Sequence, residues 1–215
     1  MKVNKKNFST LWFENDKVKI IDQTLLPFSF SVIELKSLDD FCNAIKDMKV
    51  RGAPLIGVTA AFGLALSVRK NPSIQNITKS CRLLIKTRPT AVNLAWALKT
   101  ISSEIKKKPK DVRGERSLEI AKKIREDDIV NCLKIGLNGY KLIKDFYEKF
   151  QRPVNILTHC NAGWLATVDW GTALSPIFIA NRNGIPLHIW VDETRPRNQG
   201  ALLTAWELKN EQVPY

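Results

Sequence analysis

The fold is decided by two short apolar segments, Val154-Asn155-Ile156-Leu157-Thr158 and Leu187-His188-Ile189-Trp190-Val191. Both have the length and the β-branched or aromatic content of buried strands, and Gly184-Ile185-Pro186 supplies a turn before the second. A helical pattern follows each strand, over about 172–180 and about 199–209. This strand–helix–strand–helix order predicts a parallel sheet with right-handed crossovers, and therefore an α/β protein.

The first 150 residues have a different character and predict a mainly helical domain with a short β-hairpin. Residues 18–33 alternate loosely between apolar and polar, with Pro27 between the halves, which is typical of two short strands and a turn. Ser37 is placed to cap a helix whose apolar residues share one face. The segment from Pro54 to Val68 is apolar on every side but shorter than the roughly 20 residues that span a bilayer. We therefore expect a buried helix there and no membrane anchor.

Further helical patterns lie between residue 90 and the first predicted strand. Thr90 is placed to cap a helix with an apolar stripe, which consists of Leu94, Leu98, Ile101 and Ile105. Two more patterns, over about 118–136 and about 142–150, predict further helices. We expect one domain over residues 1–150 and a second over residues 151–215.

The second domain is expected to be incomplete. A sheet of two parallel strands is not a stable domain, because parallel strands are normally covered on both faces. The sequence closes with Val213-Pro214-Tyr215, where a third strand would begin. The pattern therefore predicts only the first part of a parallel β/α domain.

Composition narrows the classes of function. Lys and Arg number 34 against 21 Asp and Glu, a formal net charge of +13 that attracts phosphates, nucleic acids or acidic lipids without choosing among them. No zinc-finger or RNA-recognition signature accompanies this charge, so specific nucleic-acid binding ranks last. Four cysteines without a C-x-x-C pair, and only two histidines, argue against a metal site. No signal peptide is evident, which predicts a cytoplasmic protein.

Polar residues concentrate after the two predicted strands, where ligands bind in open parallel sheets. Thr158-His159-Cys160-Asn161-Ala162-Gly163 follows the first strand. Cys160 can be interpreted in two ways. It is either a reactive thiolate, favoured by a facing helix N-terminus and nearby arginines, or a small buried apolar residue. The residues alone favour the second interpretation.

A second polar run follows the second predicted strand. Asp192 and Glu193, beside Arg195 and Arg197, are able to hold a polyol or a phosphate, and equally able to pair with one another as a structural network. Gln199 opens the predicted last helix, where its side-chain amide and free backbone amides would together meet a sugar or phosphate oxygen.

Two arginines precede predicted helices of the first domain. Arg51-Gly52-Ala53-Pro54 stands before the buried helix, where Gly52 permits close backbone approach and the helix N-terminus adds positive potential. Arg88-Pro89-Thr90 has the same arrangement before the next helix. Together they form a candidate phosphate clamp, although each arginine is also able to pair with a neighbouring carboxylate.

These segments resemble the methylthioribose-1-phosphate isomerases of methionine salvage. The matching segments run in family order along the chain: Asp22-Gln23 with Leu25-Leu26-Pro27, Val50-Arg51-Gly52-Ala53-Pro54, Arg88-Pro89-Thr90-Ala91-Val92-Asn93-Leu94, Thr158-His159-Cys160-Asn161-Ala162-Gly163, and Asp192-Glu193-Thr194-Arg195-Pro196-Arg197 with Gln199-Gly200. Five matching segments in the same order are far more specific evidence for this family than any one of them.

The resemblance implies a helical N-terminal domain followed by a Rossmann-like parallel β/α domain, a homodimer, and no metal or organic cofactor. It implies that Cys160 is catalytic. The residues that the resemblance implies for binding the sugar phosphate are Arg51, Gly52, Ala53, Arg88 and Gln199. The implied reaction is the aldose–ketose isomerisation of 5-methylthioribose 1-phosphate to 5-methylthioribulose 1-phosphate.

The chain departs from the family pattern in one respect. The family's second catalytic group is an Asp in a later Gly-Ala/Thr-Asp-Arg segment, which is followed by a substrate-contacting Asn-Lys pair, and neither segment is present here. We therefore expect this chain to carry the first half of the site and to be inactive or nearly so. Two other functions stay open: a related ribose-bisphosphate or deoxyribose-phosphate isomerase, and a regulatory subunit of a translation-initiation exchange factor that binds partners without isomerising a sugar.

Overall fold

The computed structural model describes every residue of the protein, Met1–Tyr215. The chain divides into two compact units, which we name the parallel-sheet unit and the helical unit. The parallel-sheet unit comprises Met1–Thr10, Leu25–Phe30 and Asp128–Tyr215, and the helical unit comprises Leu11–Thr24 and Ser31–Asp127. The predicted domain boundary between residues 150 and 151 stays a prediction.

Strands and helices follow one another in a simple order. The strands are β1 (Lys2–Val3), β2 (Lys6–Asn7), β3 (Leu11–Glu14), β4 (Lys17–Ile21), β5 (Val32–Leu35), β6 (Val154–His159) and β7 (Leu187–Asp192). The α-helices are α1 (Leu38–Lys46), α2 (Ala53–Lys70), α3 (Ile74–Thr87), α4 (Val92–Ile105), α5 (Arg113–Phe150), α6 (Ser175–Arg182) and α7 (Ala205–Asn210). Short 3₁₀ turns cover Gln23–Leu25 and Trp164–Ala166, and a π-helical turn, Gly200–Thr204, leads directly into α7.

The parallel-sheet unit is built on β6 and β7, which pair in parallel from Val154 opposite Leu187 to His159 opposite Asp192. Helix α6 provides the crossover between the two strands, and the π-helical turn with α7 follows β7. Both predicted strands, their parallel pairing and the two helices after them are confirmed. Strands β1 and β2 add a short antiparallel pair that the sequence analysis did not predict.

The two faces of the β6–β7 sheet differ. Val154, Thr158 and Ile189 are buried, whereas the residues between them along each strand are more exposed. Leu157 is 71% exposed and its register partner Trp190 is 57% exposed. Large apolar side chains therefore lie open to solvent on one face of the sheet.

The second part of α5 lies against α6 at a glycine. A Cβ added to Gly136 would be 2.1 Å from Ser175 Oγ, so only a residue without a side chain permits this approach. Ser175 Oγ also donates a hydrogen bond to the Cys132 carbonyl oxygen at 3.0 Å. These contacts bring α5 and α6 together within the parallel-sheet unit.

The helical unit combines the first half of α5 and helices α1–α4 with an antiparallel sheet in the order β3-β4-β5. The predicted hairpin is confirmed, because β4 and β5 pair from Val18 opposite Leu35 to Ile21 opposite Val32. Ser37 caps α1 as predicted: its side chain accepts from the Asp40 backbone amide, and Asp40 Oδ2 accepts from the Ser37 amide, both within 3.2 Å.

Helix α2 is the core of the helical unit. Leu55–Ala65 is buried without interruption, which confirms the predicted buried helix. By length and composition alone, the 18 residues of α2 would suffice to cross a membrane, but 67% of them are buried inside the protein. A Cβ added to Gly57 would be 3.0 Å from the Asn93 carbonyl oxygen, so the first turns of α2 and α4 lie side by side.

Two predictions about helix ends were wrong. Thr90 does not cap α4, because the Ala91 amide donates to the Arg88 carbonyl oxygen in a turn and Ala91 itself occupies the N-cap position. The patterns over 118–136 and 142–150 belong to a single helix, α5, and not to two. Helix α3 and strand β3 were not predicted; α3 begins after Ser73, whose side chain accepts from the Asn76 amide.

Candidate functional site

The loop after β6 holds Cys160 in an unusual backbone conformation. Cys160 has φ = 61°, in the left-handed region that side chains other than glycine rarely adopt. Its amide donates to the Asp192 carbonyl oxygen at 3.1 Å, which ties it to the end of β7. Its thiol is free and half-buried. The structure therefore places Cys160 at the carboxyl edge of the parallel sheet, where the sequence analysis expected it.

A buried polar network lies against this loop. Thr204 Oγ1 donates to the Cys160 carbonyl oxygen at 2.5 Å and accepts from Asn161 Nδ2 at 3.1 Å. The Glu207 carboxylate accepts from Asn161 Nδ2 at 2.8 Å, from the Trp164 amide at 3.0 Å and from the Leu165 amide at 3.1 Å. Thr204 and Glu207 are both completely buried. No motif or spacing in the sequence predicts this network.

Cys160 and the residue after Gln199 both lie against one backbone atom, the Asp192 carbonyl oxygen. Gly200 follows Gln199, and a Cβ added to Gly200 would be 2.9 Å from the Asp192 carbonyl oxygen that also accepts from Cys160. Gln199 is buried and its Oε1 receives no hydrogen bond from the protein, and the same holds for Asn161 Oδ1. Two buried acceptors are therefore left for donors such as the hydroxyl groups of a polyol.

The prediction of free backbone amides at the start of the last helix was wrong. Glu193 accepts from the Gly200 amide at 2.8 Å and from the Ala201 amide at 2.9 Å, and from the Thr194 amide at 2.8 Å. Desolvation opposes ionisation of this carboxyl group, but the three amides together lower the pKa of Glu193. The carboxylate thus occupies the positive helix end, and a phosphate would have to displace it.

The other charged residues after β7 do not form the structural network considered above. Asp192 pairs with His159, whose Nδ1 is 2.8 Å from Asp192 Oδ2. Arg195 and Arg197 are exposed and form no ion pair with a carboxylate. Mutual pairing was therefore wrong for the two arginines.

The remaining predicted residues belong to the helical unit. Gly52 occupies the N-cap of α2 with φ = 88°, and no side chain caps this helix end. Ala53 is the first residue of α2, and Arg51 precedes the cap. Arg88 follows the last residue of α3. The first turns of α2 and α4 are adjacent, and the clamp formed by Arg51 and Arg88 stays a prediction.

The predicted residues therefore fall into two sets. Cys160 and Gln199 lie at the edge of the parallel sheet, and Arg51, Gly52, Ala53 and Arg88 belong to the helical unit. That all six bind one ligand stays a prediction. A cleft of about 570 Å³ in the parallel-sheet unit is lined by other residues, among them Lys5, Trp206 and Tyr215.

The fold and this loop define the class of protein: an α/β protein with polar residues at the carboxyl edge of a parallel sheet. The α/β fold class is confirmed. The chain belongs to the Initiation factor 2 subunit family, whose family model matches residues 49–215.

Curated relatives extend over the whole chain. It is 51% identical over 217 residues to the methylthioribose-1-phosphate isomerase of Methylobacterium nodulans, an alignment that covers 100% of this chain and 59% of the relative. The methylthioribose-1-phosphate isomerase of Escherichia coli O45:K1 is 51% identical over 221 residues, with the same two coverages of 100% and 59%. The chain thus spans 59% of the length of these relatives.

Two crystal structures support the same grouping. The 5-methylthioribose 1-phosphate isomerase of Pyrococcus horikoshii OT3 has a TM-score of 0.88 and 37% sequence identity, covering 97% of this chain and 59% of that one. The translation initiation factor eIF-2B, subunit delta, from A. fulgidus has a TM-score of 0.83 and 34% identity, covering 97% of this chain and 61% of that one.

Proposed function

We propose that the protein is an aldose–ketose isomerase that converts 5-methylthioribose 1-phosphate to 5-methylthioribulose 1-phosphate in methionine salvage. The observation that carries this proposal is the 51% identity over the entire chain to the methylthioribose-1-phosphate isomerase of Methylobacterium nodulans. The left-handed Cys160 at the carboxyl edge of the parallel sheet agrees with it, because that edge is where such sheets bind ligands.

Each site residue has a proposed role. Cys160 contacts the reacting carbon atoms, and Gln199 accepts from a sugar hydroxyl through its buried Oε1. Arg51 and Arg88 bind the phosphate by charge-assisted hydrogen bonds, while Gly52 and Ala53 allow the start of α2 to approach it. We further propose that the protein acts as a homodimer in the cytoplasm without a metal or an organic cofactor.

The chemistry follows from the position of the phosphate. Because the anomeric oxygen is esterified, the ring opens by cleavage of the bond between C1 and the ring oxygen, and that oxygen gains a proton. A hydrogen moves from C2 to C1, the C2 hydroxyl loses its proton, and C2 becomes a carbonyl carbon. The reaction therefore needs a proton donor and an acceptor close to C1 and C2, and Cys160 stabilises the transition state there.

The proposal is tested first by ligand binding to the 215-residue protein. Calorimetry with 5-methylthioribose 1-phosphate, ribose 1,5-bisphosphate and deoxyribose 1-phosphate should give saturable binding that is at least about tenfold tighter for the first. Arg51→Lys should weaken binding because a lysine loses the bidentate geometry, whereas Arg82→Lys on exposed α3 should not. Preference for either other sugar would select the related isomerase instead.

Turnover provides the second test. Cys160→Ala should lower turnover of 5-methylthioribose 1-phosphate at least about 10²-fold and leave binding within about threefold, because the thiol is proposed to act on the transition state. Turnover by Cys160→Ala at the rate of the unchanged protein would contradict the proposed role of Cys160.

A second candidate function rests on the structural likeness to the A. fulgidus subunit, with a TM-score of 0.83. In that case the protein would bind a partner protein and would not isomerise a sugar phosphate. Sedimentation of the protein in the presence and absence of 5-methylthioribose 1-phosphate, together with the binding assay, separates the two. A stable complex with a different protein, combined with no binding of the sugar phosphates, would favour the regulatory function.

A further inference from the structure

The Glu207 carboxylate is enclosed beneath the loop that carries Cys160. Glu207 is completely buried, and it accepts hydrogen bonds from Asn161 Nδ2 and from the amides of Trp164 and Leu165, which all lie within residues 161–165. Both carboxyl oxygens accept hydrogen bonds here, so one side chain satisfies donors at both ends of this segment. Buried donors left without an acceptor cost about 1–3 kcal/mol each, which makes this arrangement strongly preferred.

Gly163 allows the carboxylate to lie directly against the loop backbone. A Cβ added at residue 163 would be 1.8 Å from Glu207 Oε2 and 2.5 Å from its Cδ. No side chain fits between them, so the glycine is what permits this close contact.

Thr204 extends the same attachment to Cys160 itself. It lies three residues before Glu207, so both side chains emerge on one side of the last helical segment. Its hydroxyl donates to the Cys160 carbonyl oxygen at 2.5 Å while accepting from Asn161 Nδ2 at 3.1 Å. A left-handed backbone at a residue with a side chain costs roughly 1–3 kcal/mol and persists only where its surroundings enforce it.

We propose that Glu207 and Thr204 are positioning residues for Cys160, which fix its left-handed backbone and orient its thiol. That Glu207 and Thr204 matter for catalysis rests on the proposed catalytic role of Cys160. Their hydrogen bonds to the Cys160 loop do not depend on that role. The network also commits Asn161 Nδ2 to two acceptors, which leaves Asn161 Oδ1 as a buried acceptor without a protein donor, next in sequence to Cys160.

The test measures the reactivity of Cys160 and needs neither substrate nor turnover. The full chain is alkylated with iodoacetamide over a range of pH, and each cysteine is quantified by mass spectrometry. Glu207→Gln replaces one acceptor oxygen by a donor, and Thr204→Val removes the hydroxyl at constant shape. In both variants we expect the rate at Cys160 to rise at least about fivefold and the midpoint of its pH profile to move.

Two controls separate positioning from loss of folding. Cys132 is 2% exposed, so its alkylation reports global opening and should stay slow in every variant. Glu211→Gln is the matched variant: Glu211 is also buried and follows the same helix, but its partners are Arg182 Nη2 at 2.8 Å and the Lys2 amide at 2.5 Å. It should leave the Cys160 profile unchanged.

Gly163→Ala supplies an independent variant, because the added methyl group must displace the carboxylate. It should reproduce the Glu207→Gln profile, and the double variant should change it no further. The proposal is overturned if the Cys160 profile is unaltered in Thr204→Val and Glu207→Gln, if Glu211→Gln alters it equally, or if it changes only together with Cys132. Failure of the proposed isomerase would appear in the sugar-binding assay and not in this one.

Discussion

The side chains of His159 and Asp192 are in contact at the carboxyl ends of the two parallel strands, where the two residues also face each other in the strand register. They are the last register partners of β6 and β7, and His159 Nδ1 is 2.8 Å from Asp192 Oδ2. The next residue, Cys160, donates its amide to the Asp192 carbonyl oxygen at 3.1 Å. The proposed catalytic loop therefore begins where the two strands are joined by a side-chain contact and by a backbone hydrogen bond.

Asp192→Asn should have only a small effect on stability. The two side chains of this pair are 61% and 58% exposed, and exposed pairs contribute about 0–1 kcal/mol. Urea denaturation at neutral pH should therefore show a change in the free energy of unfolding below about 1 kcal/mol. A loss of more than about 2 kcal/mol would contradict the small contribution expected of an exposed pair.

Glu193→Gln should destabilise the protein at neutral pH by roughly 0.5–2 kcal/mol, because the carboxylate caps the helix that begins at Gly200. The pKa of Glu193 is lowered from 4.5, so its contribution is present above pH 4.5 and disappears as the pH falls through the lower, folded-state value. Melting temperatures of the two proteins should differ at pH 7 and converge in acid. Glu148→Gln, which removes an exposed pair with Lys144, should show no such pH dependence.

Asp128→Asn should stabilise the protein at pH 7. Desolvation by burial raises the pKa of Asp128 from 3.8, against the opposing effect of the hydrogen bond from the Val168 amide. Folding therefore favours the protonated carboxyl group, and this contribution is present below pH 3.8 and lost as the pH rises through the raised value. An asparagine keeps an acceptor for Val168 without the buried charge.

We expect the melting temperature of Asp128→Asn to rise by about 2–4 °C at pH 7 and the difference to shrink in acid. The neighbouring exposed Asp127→Asn, which loses only a surface pair with Lys123, is the control and should not be stabilised. Equal behaviour of the two variants would contradict the account of Asp128.

Gly63→Ala should destabilise the helical unit by about 1–3 kcal/mol, because the added methyl group would lie 2.9 Å from Cβ and Cγ of Phe41. Phe41→Ala in the same protein removes Cγ and Cδ1 and should recover part of the loss, measured as a non-additive free energy of unfolding. Gly184→Ala meets no atom within 4 Å and has φ = 75°, so its loss is conformational and Phe41→Ala should not reduce it.

The elements predicted correctly are those whose sequence signal is local. Helix α2 is apolar on all sides, the two parallel strands are short apolar runs with turns around them, and Ser37 lies three residues before its capping partner Asp40. Helix α5 was divided because its apolar pattern changes face along the helix. Ile124, Cys132 and Gly136 are buried at spacings of four or eight residues, whereas Leu142, six residues after Gly136, begins a different stripe and is 73% exposed.

The candidate site was predicted in part for the same reason. Cys160 and Gln199 follow predicted strands, and general rules for parallel sheets place such residues at one edge. The role of Glu193 depends on a turn that returns it to the amides of Gly200 and Ala201. The role of Glu207 depends on how the chain returns to this edge over many residues, which no local spacing reveals. Glu207 lies 47 positions after Cys160, and its three donors are defined only once α7 has packed.

The contact between Gly163 and Glu207 has an evolutionary consequence. Neither position can drift alone, because any side chain at the first collides with the second, and loss of the second leaves three donors without their acceptor. Inherited change at these two positions should therefore be epistatic, with glycine and glutamate retained or replaced as a pair.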